Sequence, residues 1–204
     1  MGRGWGWPPR RVQKLIIGDY AAGNYSEFDS LGRLRMYGDA RPRDDQQVTI
    51  GAALPGAAAP SDVIYKSGRV KSYSKTLDQT IHFDAQVSHS YDEASELFFH
   101  IHVIPPDNLA GDVVWQFTHS LAAIGAKFPA ETTVTHTQTI PINSLDDHIY
   151  VSFGSLGLVA SGVSAGILCS LSRLGSNVGD TYDNVIYQCF MDFHFLKGRL
   201  GDWV

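Results

Sequence analysis

Alternation of apolar and polar residues dominates the chain from residue 61 onward. In ELFFHIHVI (96–104), Leu97, Phe99, Ile101 and Val103 fall on one side of an extended strand, and Phe98, His100 and His102 on the other, because successive strand side chains point to opposite faces. The same period over 185–195 groups Val185, Tyr187, Cys189, Met191, Phe193 and Phe195 against Ile186, Gln188, Phe190, Asp192 and His194. Both faces carry apolar residues, which predicts central strands covered on each side, by a second sheet or by a neighbouring subunit. Comparable runs are DVIYK (62–66), TIHFDAQV (80–87), DVVWQFTHSL (112–121), TTVTHTQTI (132–140), HIYVSFGSL (148–156) and VSAGILCSL (163–171). Turn-rich stretches such as PPDNLAGD and INSLDD separate them. Short strands with turn signals between them predict an all-β fold, a jelly-roll-like antiparallel β-sandwich over residues 61–204. Only SLAAIGA (120–126) suggests a helix, and Gly125 weakens it.

Residues 1–60 read differently, as an extended N-terminal arm and linker. Pro8, Pro9, Pro42, Pro55 and Pro60 punctuate them, and AALPGAAAP (52–60) disfavours helix. Within the arm, the alternating stretch Leu31–Tyr37 suits a hairpin or an edge strand. Charge divides the chain at the same end. Arg3, Arg10, Arg11 and Lys14 precede Gly18 with no acidic residue among them, whereas from Thr76 to Leu196 only Lys127 and Arg173 oppose thirteen Asp and Glu. Four charges bind phosphate weakly at physiological salt. The arm, with Trp5 and Trp7, is therefore expected to lie along an acidic protein surface on neighbouring subunits, not on a specific nucleic acid. Trp203 and Val204 give the other end an apolar character; they serve as an interface anchor or fold back on their own domain.

Several function classes find no support. No apolar run reaches the roughly 18 residues of a membrane-spanning helix, and MGRGWGWPPRR lacks the apolar core of a secretion signal. Cys169 and Cys189 lie in apolar runs without ligand spacing, which predicts buried free thiols in a reducing cytosol. GVSAG (162–166) is not a nucleophile elbow, and no phosphate loop or H-E-x-x-H occurs. The carboxylate pairs Asp44/Asp45, Asp92/Glu93 and Asp146/Asp147 sit in turn-like stretches and read as solvated. The expectation is a non-enzyme with no catalytic residue, cofactor or bound metal.

Histidines make the one constellation with chemical potential. His100 and His102 share a strand face about 7 Å apart by strand rise. Asp192 and His194 repeat that spacing, and His82 with Asp84 gives a third pair. Two facing strands of a jelly roll bring such pairs together as a metal site in cupin-type folds. Here IPPDN follows the His pair where a cupin has a Glu. The favoured reading is a hydrogen-bonded cluster of His100, His102 and His194 that fixes register or a subunit contact, without metal.

Three stretches, SYDEASELFFHIHV (90–103), GDVVWQFTHSLAAIGAKFPAETTVT (111–135) and DTYDNVIYQCFMDFHF (180–195), carry a further signal. FFHIHV, VVWQF, TTVTHT and MDFHF stand in the order seen in a family of structural proteins of tailed bacteriophages and prophages, and GDARPRDD (38–45) resembles an element preceding that body. The chain resembles that family over residues 27–196, with Val103 standing where an aromatic is frequent. The resemblance implies a virion component assembled in the host cytoplasm, preferably a capsid decoration (cement) protein and a homotrimer. Its partners would be the major capsid protein or other virion proteins, reached through the arm. Two alternatives remain. A head-fibre or tail-associated receptor-binding module would need exposed aromatics in loops 105–111 and 174–184, where only Tyr182 is available. A metal-dependent cupin-like enzyme would need the His cluster to hold a metal.

Overall fold

A computed structural model describes residues 14–29, 32–50, 54–56, 58–93, 95–158 and 164–200. Eight strands build a sandwich: β7 (Gly68–Tyr73), β8 (Asp78–Gln86), β9 (Glu96–Ile104), β10 (Gly111–Ala122), β11 (Thr132–Ile140), β12 (Ile149–Leu158), β13 (Gly166–Leu174) and β14 (Ile186–Leu196). One sheet runs β12-β9-β14-β7 and the other β11-β10-β13-β8, with antiparallel neighbours throughout. The chain therefore crosses between sheets in the order of a jelly roll. The expected all-β sandwich is the fold observed. β9 and β11 coincide with their predicted limits.

Between the sheets lies an aromatic core. Phe99 of β9 stacks on Phe117 of β10 with centroids 4.0 Å apart, and Phe83, Phe153 and Phe193 surround them. Tyr73 meets Trp115 edge to face at 5.0 Å. Such rings add about 0.5–1.5 kcal/mol per pair beyond the area they bury.

The structure differs from the sequence reading in three places. First, the described part of residues 1–60 contains strands. β1 (Leu15–Asp19), β2 (Asn24–Phe28) and β3 (Leu34–Tyr37) form an antiparallel meander, and its β2–β3 pair is the hairpin expected near Leu31–Tyr37. β4 (Arg43–Gln47) extends the first sheet on β14, and β5 (Leu54–Pro55) pairs with His82 and Ile81 of β8. Apart from β3, which lies in the alternating stretch, these strands are too short for periodicity to show. β6 (Ser61–Tyr65) and β7 close a hairpin through Lys66 and Ser67. Second, β10 continues through Ala122, so no helix forms at 120–126; Gly125, at φ +81°, turns the chain there. Third, Ile186 and Gln188 are buried with Met191, Phe193 and Phe195. A bulge between Gln188 and Phe190, opposite Val103 and His102, shifts the alternation by one residue.

Trp5, Trp7, Arg10, Arg11, Trp203 and Val204 lie outside the described residues. Among the described residues no helix is long and apolar enough to cross a membrane.

Candidate functional site: a histidine–carboxylate cluster on the outer sheet face

β9 and β14 are neighbours in one sheet, not facing strands of two. Their odd-numbered residues Phe99, Ile101, Met191 and Phe193 fill the core, so His100, His102, Asp192 and His194 project from the outer face. Register sets the rest. His100 is opposite Asp192 on β14, His102 opposite Tyr150 on β12, and His194 opposite Asp45 on β4.

The cluster is compact. His100 Nε2 and His102 Nε2 are 3.0 Å apart. His100 Nε2 also contacts Asp192 Oδ1, His102 Nε2 is 3.6 Å from Asp192 Oδ2, and His194 Nε2 is 3.4 Å from Asp192 Oδ1. On its far side, His194 Nε2 pairs with Asp45 Oδ1 at 2.8 Å. The Tyr150 and His194 rings lie 4.6 and 4.0 Å from His100, and His148 lies 4.7 Å from His102. This paving leaves His100 1% exposed although it points away from the core. Burial, followed by the neighbouring His100, pulls His102 below the ordinary imidazole range, which favours its neutral form.

Hydrogen bonding in the cluster is incomplete. Asp192 Oδ1 and His100 Nδ1 are buried without a hydrogen-bond partner among the described residues. The imidazole nitrogens beside Asp192 Oδ1 approach it in directions that make no such bond.

Sequence reasoning thus found His100, His102, Asp192 and His194, and the structure joins them. The sequence places Asp45 in a solvated turn and does not single out His148 or Tyr150; their membership depends on cross-strand register. His82 and Asp84 do not join. They are exposed on β8, in the opposite sheet.

A second charged centre went unrecognised. Arg173 occupies the core face at the end of β13 and is 0% exposed. Its Nε and Nη2 donate to Asp180 Oδ2 and Oδ1 at 2.9 and 2.8 Å. Its remaining donors reach the carbonyls of Tyr73, Asn184 and Tyr182. The signal available was a lone Arg in an otherwise acidic stretch. Tyr182 is buried here, donating its hydroxyl to Asp107 Oδ1 at 2.7 Å.

No protein-family model matches the chain, and no curated protein does. Among solved structures, a chain of infectious bursal disease virus (Gx strain) superposes with a TM-score of 0.40 at 9% identity, covering 83% of this chain and 35% of its own. An arabinose-bound α-L-arabinofuranosidase, MgGH51, gives 0.39 at 11% identity, covering 74% of this chain and 24% of its own. TmCBM61 in complex with β-1,4-galactotriose gives 0.30 at 8% identity, covering 79% of this chain and 89% of its own. This chain thus spans about a third and a quarter of the first two. At these values none of them bears on function.

Proposed function

We propose that the protein is a non-catalytic structural component of a bacteriophage virion, a capsid decoration (cement) protein that assembles as a homotrimer and docks through its leading segment. The observation that carries this reading is the β1–β3 meander. All five residues of LIIGD in β1 are exposed, and Tyr20 and Phe28 add apolar surface beside them. A three-stranded sheet with so little covered surface gains from a partner laid against it. Two further features fit multivalent protein contact. β11 is an edge strand of nine residues, TTVTHTQTI, with no charge and no proline, which offers free backbone groups to another chain. At one end of the sandwich, Leu109, Ile142, Leu145 and Val178 are exposed on the loops, Val178 by 97%.

Those loops also weigh against the receptor-binding alternative, since Tyr182, their one candidate aromatic, is buried and glycan docking favours exposed rings. A nucleophilic role for the thiols is opposed by burial, which pushes Cys189 up to about 11 and Cys169 higher still.

The test uses particles lacking the protein, to which purified protein is added back. Wild-type protein is expected to bind and to raise the temperature at which particles release their genome. The double variant Ile16→Asp/Ile17→Asp should keep a folded body and fail to bind. Particles equally robust with and without the protein, but unable to adsorb to cells in its absence, would transfer the assignment to receptor binding.

A further inference from the structure

We propose that His100, His102 and Asp192 bind a divalent transition metal, zinc by the chemistry of the donors, with His194 as the fourth ligand. The site would be structural, tying β9 to β14 on the outer face of the sheet. This departs from the expectation of a metal-free cluster and stands independently of the virion assignment.

Spacing is the first argument. Tetrahedral zinc with ligands at about 2.0–2.1 Å holds its donor atoms about 3.3 Å apart. Three of the observed separations are near this, 3.0 Å for His100 Nε2 to His102 Nε2, 3.4 Å for His194 Nε2 to Asp192 Oδ1 and 3.6 Å for His102 Nε2 to Asp192 Oδ2, whereas His100 Nε2 and Asp192 Oδ1 touch more closely and must part to admit an ion. One ligand atom each from His100, His102 and Asp192 lies within 4.8 Å of the others. Nitrogen and carboxylate donors at this spacing suit zinc better than calcium or magnesium, which prefer all-oxygen shells.

Unfinished hydrogen bonding is the second. A metal-free cluster requires one of the two facing Nε2 atoms to donate to the other. Asp192 Oδ1, a carboxyl oxygen among three imidazoles, still receives no hydrogen bond from the described residues. A buried acceptor left in that state costs about 1–3 kcal/mol, and more if charged. A cation between the donors engages both facing lone pairs and compensates the carboxylate at once.

Accessibility is the third. His100 is sealed in, but the His102 and His194 side chains keep 20% and 34% of their surface, which leaves a path for an ion. His194 is the ligand that must exchange a partner, because its Nε2 pairs with Asp45 in the structure. With four protein donors the coordination sphere is full, as in structural zinc sites, and no position is left for substrate.

The experiment titrates chelator-stripped, full-length protein with cobalt(II) and zinc. The expected results are one metal per chain, the visible absorption of tetrahedral cobalt(II), and a melting temperature that rises with metal concentration. His102→Ala and Asp192→Asn should each abolish the cobalt spectrum and weaken binding by at least about a hundredfold. His82→Ala, on the other sheet, should bind like wild type. Circular dichroism in chelator establishes that each variant is folded, and either ligand variant suffices for the conclusion. Absence of the cobalt spectrum in wild type, or its survival in a folded ligand variant, would overturn the proposal.

Discussion

Arg173 and Asp192, two of the buried charged residues among those described, are finished to different degrees. At the loop end, Arg173 spends its donors on the Asp180 carboxylate and three carbonyls, and Asp180 Oδ2 also accepts from Val114 N. On the outer face, Asp192 lies among three imidazoles and keeps an oxygen without a hydrogen bond. The first arrangement is complete within the described residues; the second leaves an acceptor unfilled. A closed network fastens loop 175–185 to the core, whereas an open one is suited to accept something from outside.

The largest effect expected from breaking this contrast is at Asp180. Asp180→Asn leaves the Arg173 guanidinium buried beside a neutral amide and should cost about 3–5 kcal/mol, the usual penalty for orphaning one member of a buried pair. Urea unfolding at constant m-value measures it. A loss below about 1 kcal/mol would show that the pair is not the fastening we describe.

A smaller effect belongs to Asp107, which supports the same loop. Burial pushes its carboxyl up, but hydrogen bonds from Asn184, the Leu109 amide and Tyr182 outweigh this and hold it below the usual carboxylate range. A carboxyl depressed in the folded state stabilises above its unfolded value and loses that contribution as the pH falls through the folded one. Asp107→Asn should therefore cost about 1 kcal/mol at neutral pH. The gap to wild type should close as the pH drops below about 4. Melting curves of both proteins between neutral and acidic pH give the answer, and a gap that widens in acid would reverse the assignment.

The smallest effect is expected at the open cluster. In chelator, Asp192→Asn should destabilise the fold by less than about 1 kcal/mol, since its Oδ1 makes no hydrogen bond to the described residues for the substitution to break. A loss as large as that at Asp180 would mean that both clusters are closed and would erase the contrast.

How much of this could be read from sequence follows from what each feature depends on. β9 was legible because strict alternation through Leu97, Phe99, Ile101 and Val103 fixes both its limits and its faces. His100 and His102 followed directly, as did Asp192 and His194. Their contact with Asp45 and Tyr150 did not, because it depends on which strands lie side by side, and β4 comes from a stretch that reads as part of the extended arm. Arg173 is not legible for another reason. It follows the core parity of Ile167, Cys169 and Leu171, but a charge at a core position is intelligible only once Asp180 is seen to reach it. Of the meander, alternation showed the part around β3, while β1 escaped because a strand of five exposed residues carries too few alternations to register.

The bulge in β14 gives that strand slack. Between Gln188, opposite Val103, and Phe190, opposite His102, Cys189 has no cross-strand counterpart, and its sulfur rests 3.4 Å from the His102 carbonyl. Deleting Cys189 would let Gln188 and Phe190 follow one another in a plain ladder, with Ile186 and Gln188 still facing inward and Asp192 and His194 still outward. An added residue finds no such reserve and would turn one half of the strand inside out. β14 is thus asymmetric toward length change: it can be shortened by one residue at Cys189 and still deliver every side chain to its present face, but it cannot be lengthened.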